Sequence, residues 1–253
     1  LVLAVAQGFQ VTAWHVDHGL RPESASEATL VRNVAEQLGA GFQSRTVHVE
    51  QGSNLEARAR AARFDALPEG VLTGHTADDQ AETVLINLLR GSATRGLAGM
   101  QAGPNHPILQ LRRSETHDLC GQLGMQLVHD SSNEDERFQR NKIRQQLMPL
   151  LDAISQRDMV PVLARQAELL RDDENLLNEL ALAIDPTDAQ MLAAAPVALA
   201  RRAVRAWLAH PYPPDGATVE RVLGVARGEA TGCDIGLGRQ VRRSQQQLRI
   251  VEL

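Results

Sequence analysis

The chain has 253 residues, is 43% hydrophobic and 23% charged, and carries a formal net charge of −5. This is enough chain for one large domain or two, and no apolar run approaches the ~20 residues that cross a bilayer, so a membrane protein is not expected. The opening residues lack a basic flank and cleavage site, and Cys120 and Cys233 are too far apart for a Cys-x-x-Cys motif, so the expected setting is a reducing cytoplasm without a disulfide, zinc or iron–sulfur framework.

In chain order, Val11–Val16 is a short β-rich run that ends at Asp17-His18-Gly19. Ser24–Leu38 then has helical character and is closed by Gly39, and Gln43–Val49 is the next strand. Asn54 caps a helix to about Ala66, Val71–Thr73 is a third strand, and Thr76–Arg90 is a helix stopped by Gly91. Strands and helices alternating with spacers this short predict parallel strands with crossover helices, an α/β doubly wound, mostly parallel sheet. After Pro149 the pattern becomes helical: one long charged helix over about Val160–Ala183, then helices near Leu199–Ala209 and Thr218–Arg227. Cys233–Leu253 has the glycines and alternation of a small antiparallel hairpin. The expected division is a catalytic α/β domain over 1–152, a helical connector over 153–183, and a small α+β domain over 184–253.

Four segments carry candidate chemistry. In "TGHTADDQAETVLINLLRGS", Thr76 is a plausible N-cap with Asp79 in capping-box register, and Asp79 and Glu82 stand at i and i+3 on one helix face. His75 precedes that helix at the expected end of a strand, where open α/β sheets place ligands. Acidic residues in a first turn also complement the helix dipole, but three carboxylates beside a histidine ask for more, and a magnesium ion (Mg2+) bridging to phosphates suits oxygen donors at Asp79 and Glu82. "HVDHGLR" places His15, Asp17 and His18 at another strand end, although a turn at Gly19 needs no ligand to explain it. "NLEARARAARF" puts Arg60 and Arg63 one turn apart, as a solvated face or a grip on phosphate. "DSSNEDERFQRNKIRQQLMPLL" gathers Arg137, Arg140, Asn141, Lys142 and Arg144, a run suited to RNA backbone or to pairing with Glu134, Asp135 and Glu136. Lys142 is the only lysine, so the basic side chains are otherwise arginines. The overall negative charge weighs little here, because phosphate responds to a local patch.

Taken in this order, the strings "HVDHGLR", "EARARAARF", "GHTADDQAETVLINLLRGS" with "GLAGM", "PILQLRR" and "DSSNEDERFQRNKIR" resemble the tRNA(Ile)-lysidine synthetases of the PP-loop ATP pyrophosphatases. The resemblance covers about residues 11–151, and the later regions are similar in layout to the family's tRNA-contacting part. It implies ATP, Mg2+, free L-lysine and a CAU-anticodon tRNA(Ile) as cofactors and partners, with oligomeric state, a homodimer included, left open. It further implies that ATP adenylates the wobble cytidine and that lysine then displaces AMP. On this resemblance His75, Asp79 and Glu82 are the catalytic residues. His15, Asp17, His18, Arg60, Arg63 and Arg112 would meet ATP or phosphate, and Arg137, Arg140, Asn141, Lys142 and Arg144 would meet tRNA. The family's Ser-Gly-Gly-x-Asp-Ser phosphate loop is expected directly before Leu1–Gln7, so the chain by itself is expected to bind ATP poorly; Thr76 stands where many relatives carry a second histidine. Rival expectations are a tRNA thiolase of the same superfamily, a non-catalytic RNA-binding relative, and a metal-dependent hydrolase built on His75, Asp79 and Glu82.

Overall fold

A computed structural model describes residues 1–17, 24–47, 55–125 and 138–252. The elements in the first part are α1 (Val2–Ala6), β1 (Thr12–Asp17), α2 (Ser24–Gln37), β2 (Gly41–Thr46), α3 (Leu55–Ala66), α4 (Ala77–Leu89), α5 (Thr94–Leu97), α6 (Arg113–Gln122) and α7 (Gln139–Lys142). Then come α8 (Met148–Ser155), α9 (Met159–Ala181), α10 (Ala189–Ala194), α11 (Val197–Trp207), α12 (Gly216–Arg227), β3 (Gly232–Gly236), β4 (Arg239–Ser244) and β5 (Gln247–Glu252). They form two compact units, one of residues 1–79 and 102–141, the other of 80–101 and 142–253.

In the first unit β1 and β2 pair in parallel, from Thr12 against Gly41 to Asp17 against Thr46, and α2 makes the crossover between them. A parallel pair needs such a long return, and a helix is its usual form. Gly39 closes α2 with a φ of +68°, a left-handed conformation in which a side chain would crowd the backbone. The α/β class and the parallel pairing match the expectation from sequence. The third strand expected at Val71–Thr73 does not form; this stretch is irregular, and the Thr73 N–H donates to the Asn105 carbonyl at 2.9 Å. Three residues between Gly70 (φ +73°) and Gly74 leave little length for a ladder.

The second unit has its own core around Leu192, Val204, Val222, Leu223, Val241 and Leu248, all at most 1% exposed. Helix α9 runs longer than any other described helix and starts at Asp158, whose side chain accepts from the Val160 N–H at 3.0 Å. Against it lies the turn over residues 94–100. Arg171 donates to the Ala98 and Gly99 carbonyls at 2.6 Å each, and Gln80 exchanges two hydrogen bonds with the Met100 backbone. Gly99 has a φ of +59°, and a Cβ there would come within 2.6 Å of the Gln80 side chain, so the turn requires glycine on both counts. Buried Glu174 accepts from Thr94 and Arg202. Burial raises its pKa, but these hydrogen bonds and the Arg202 charge outweigh it and hold the carboxyl below its usual range.

Two features of this part differ from expectation. The helical run over 139–155 contains a π-helical turn at Ile143–Leu147, where the Met148 N–H reaches back to the Ile143 carbonyl. The tail forms three antiparallel strands in the order β3-β4-β5, one more than a hairpin. Among the described residues no helix is long and apolar enough to cross a membrane.

Candidate active site

The segment leading into α4 organises the first unit's polar centre. Thr76 is the residue before the helix, and its N–H and hydroxyl both donate to Asp79 at 2.9 Å. The backbone half of the anticipated capping box therefore exists, with Asp79 reaching back to an N–H that the helix leaves unsatisfied. Asp78 points the other way. It accepts a fork from Arg112, Nε and Nη2 each at 3.2 Å, and the Arg113 N–H at 2.7 Å. That N–H belongs to the first residue of α6, so Asp78 satisfies an open helix terminus and a cation together. The Arg113 guanidinium completes the arrangement at 3.1 Å from Asp79.

This geometry fixes ionisation. Burial raises the Asp78 pKa, but the Arg112 hydrogen bond, the Arg113 N–H and the two arginine charges more than offset it, leaving the carboxyl below its usual range. For Asp79 burial again acts upward, and is outweighed by the Thr76 N–H, the Arg113 charge, the Thr76 hydroxyl and the charge of His75. Both carboxylates remain anions well into acid.

His75 is half-buried in a second cluster of the same unit. The Thr73 hydroxyl lies 2.7 Å from Nδ1 of His75 and 2.6 Å from Nδ1 of His106, and the two rings meet edge-on with centroids 5.1 Å apart. His106 also lines a cavity of about 360 Å³ together with Ala102, Gly103, Pro104, Pro107, Leu109 and Gln110. That volume lies at the lower end for small-molecule sites.

Glu82, one turn beyond Asp79, lies in the second unit. It is 2% exposed, and Arg144 grips it with Nε at 2.8 Å from Oε1 and Nη2 at 3.2 Å from Oε2. Arg144, expected on an RNA-facing run, is instead committed to this carboxylate, because a buried anion is costly without a cation. Nearby in sequence, Asn141 is buried and Lys142 exposed.

The other expected residues lie apart from this centre. His15 in β1 has Nε2 3.8 Å from Glu27 of α2, and its Nδ1 is buried without a hydrogen-bond partner among the described residues. Asp17 ends β1, and its carbonyl accepts from the Val47 N–H. Arg63 lies over the Phe64 ring at 5.3 Å; burial, then the nearby Arg140 charge, lowers its pKa. His18, Arg137 and the Arg60 side chain lie outside the described residues. The structure thus joins His75, Asp79 and Arg112 in one neighbourhood. It adds Thr73, His106 and Arg113, which the sequence reading left without a role; their signals were a histidine before Pro107 and a second arginine after Arg112.

A magnesium ion asks for one or two carboxylates plus phosphate and water oxygens. Asp79 and Glu82 carry oxygen donors of that type, and each is held by a guanidinium, Asp79 by Arg113 and Glu82 by Arg144. Among the described residues there is no group of three or more His, Cys, Asp or Glu side chains disposed around a common ion.

Comparison with known proteins defines the class. Residues 2–151 match the PP-loop domain, and residues 188–249 match the TilS substrate binding domain. The chain is 42% identical to the tRNA(Ile)-lysidine synthase of Mycolicibacterium paratuberculosis over 78% of its own length and 66% of the relative's. It is also 42% identical to that of Nocardia farcinica, over 81% and 70% respectively. With the corresponding protein of Pseudomonas syringae it shares 40% identity over 70% of this chain and 42% of the relative. Among solved structures, a U34-tRNA thiolase from Methanococcus maripaludis aligns with a TM-score of 0.48 and 17% identity, covering 64% of this chain and 63% of the thiolase. Residues 2–151, which include the head of α4, therefore form a PP-loop domain. Within that class, the chain belongs to the tRNA(Ile)-lysidine synthase family and spans about two thirds of the length of its first-matched relatives.

Proposed function

We propose that this chain carries the ATP-dependent ligation of lysine to the wobble cytidine of a CAU-anticodon tRNA(Ile), forming lysidine and releasing AMP and pyrophosphate. The observation that carries the reading is the head of α4, where Asp78 and Asp79 are held as anions between Arg112, Arg113 and Thr76 in a chain of this family. In the first step the cytidine's exocyclic oxygen attacks the α-phosphorus of ATP and pyrophosphate departs. In the second, the neutral side-chain amine of lysine attacks the activated ring carbon, AMP leaves, and the amine's surplus proton passes to a base. Asp79 and Glu82 are the residues that would hold Mg2+, which would neutralise charge on the departing pyrophosphate.

The protein's own groups have separable tasks. Asp79, held below the usual carboxylate range by Thr76, Arg113 and His75, provides a fixed carboxylate beside His75 that would hold the metal or orient lysine. His75, fixed by Thr73 and His106, stands beside it as the group nearest the reaction. Arg112 and Arg113 hold the carboxylates in place and supply positive charge for phosphate. Arg63, whose pKa is lowered by burial and then by the nearby Arg140 charge, marks a second locus that a phosphate would relieve. The working location is the cytoplasm, where ATP, lysine and tRNA meet. The thiolase alternative is not favoured, since the matched relatives bear the lysidine synthase name. A direct test joins the chain to an upstream Ser-Gly-Gly-x-Asp-Ser loop and supplies ATP, labelled lysine and transcripts. Label should enter tRNA(Ile) with a CAU anticodon and not a CAU tRNA for methionine; sulfur transfer without lysine incorporation would overturn the assignment.

A further inference from the structure

The tail sheet has two faces of opposite character. Val241 and Leu248, at most 1% exposed, point into the core with α12 on that side. Because side chains alternate along a strand, Gln240, Arg242 and Ser244 of β4 and Gln247, Arg249 and Val251 of β5 share the other face. In this register Arg242 stands directly opposite Arg249, and on its other side opposite Gly232 of β3. Like charges placed directly across two strands destabilise a sheet, and Cβ atoms in such pairs lie about 5 Å apart. The usual remedy is a carboxylate between them, and none is present among the described residues: Arg242 donates to the neutral Gln240 side chain, at 3.3 Å, and Arg249 forms no ion pair there. The acid of this face, Asp234, is turned to the Gly236 N–H at 2.6 Å. Gly232 leaves room for the Arg242 stem, since a Cβ there would lie 3.1 Å from the Arg242 Cγ.

We propose that Arg242 and Arg249 form a phosphate clamp for the RNA backbone on the outer face of this sheet. The inference rests on the reading of the chain as a tRNA-modifying enzyme and adds where the RNA lies. Two exposed guanidinium groups rising side by side offer a double fork of N–H donors, and a bridging phosphate turns their repulsion into shared attraction. The contact is to backbone and carries no base information, so it positions the tRNA without selecting it. The clamp lies at the end of the region matched to the substrate binding domain, where neither arginine serves the core.

The test measures tRNA(Ile) binding by the 253-residue chain across a salt series, for the wild type, Arg242→Gln, Arg249→Gln, the double variant, and Arg201→Gln as a control whose arginine already pairs with Glu220. Each clamp substitution should lower the slope of log affinity against log salt by about one, and the double variant should bind roughly ten- to thirtyfold more weakly near 0.15 M salt. Its melting temperature should equal or exceed that of the wild type, because a repulsion has been removed. Wild-type slope and affinity in the double variant would overturn the clamp and leave the functional reading standing. Loss of binding together with a lowered melting temperature would also overturn it, by making the pair a structural element. A wild-type chain without measurable tRNA affinity would overturn both.

Discussion

Asp79 and Glu82 are both carboxylates of α4, yet their surroundings give them different tasks. Asp79 is held by Thr76 and Arg113 at the helix entrance, so Asp79→Asn keeps its shape and most of its hydrogen bonds while removing the charge. This variant should fold normally, retain tRNA affinity and lose adenylation by at least about a hundredfold, the scale on which a positioned charge acts; pyrophosphate release in single turnover is the measurement. Glu82 is almost wholly enclosed, and its removal breaks a buried ion pair with Arg144. Glu82→Ala should therefore cost about 3 kcal/mol in denaturant unfolding, where Asp79→Asn should not. The acidic string itself was legible in the sequence, because capping register and helical spacing can be counted. The division of partners was not: Arg113 lies 34 residues from Asp79 and Arg144 lies 62 from Glu82, and no local pattern reports which arginine returns to which acid.

At the scale of elements, the starts of α4 and α6 are tied together by Asp78, which caps α6 from its place in the first turn of α4. Asp78 and Asp79 both have native pKa values below those of the unfolded chain. Their contribution is complete above the unfolded value, about 4, and is lost as pH falls through the lowered native values. Unfolding free energy should thus be flat from neutrality to about pH 5 and fall below about pH 4. Asp78→Asn should flatten that acid limb, as urea titrations at a series of pH values would show. Amphipathic spacing and terminal glycines made the longer helices α2, α3, α4, α9, α11 and α12 readable to within two or three residues, while shorter ones such as α5 and α10 went unread. Val71–Thr73 read as a strand because β-branched residues favour extended backbone, but its hydrogen bond runs to a distant loop at Asn105, and propensity does not encode partners.

For the whole molecule, a net charge of −5 conceals how the charges are arranged. Many acids are consumed internally, Asp78, Asp79, Glu82 and Glu174 each by an arginine, while Arg242 and Arg249 remain exposed to solvent. An acidic protein of this kind should still bind tRNA with an affinity that falls steeply as salt rises, and filter binding between about 50 and 200 mM salt should show at least roughly a hundredfold loss for several phosphate contacts. A flat response would place recognition on bases instead.

The π-helical turn at Ile143–Leu147 bears on length variation between relatives. In a regular α-helix, Ile143 and Met148 would project roughly 140° apart, yet both are buried, because the wide turn accommodates one extra residue without rotating the helix beyond it. A homologue one residue shorter between Ile143 and Met148 would present the same two anchors from an unbroken helix. A turn of this width can absorb one extra residue within a helix, so a gap in this stretch of an alignment would mark a change of helical pitch with both anchors preserved.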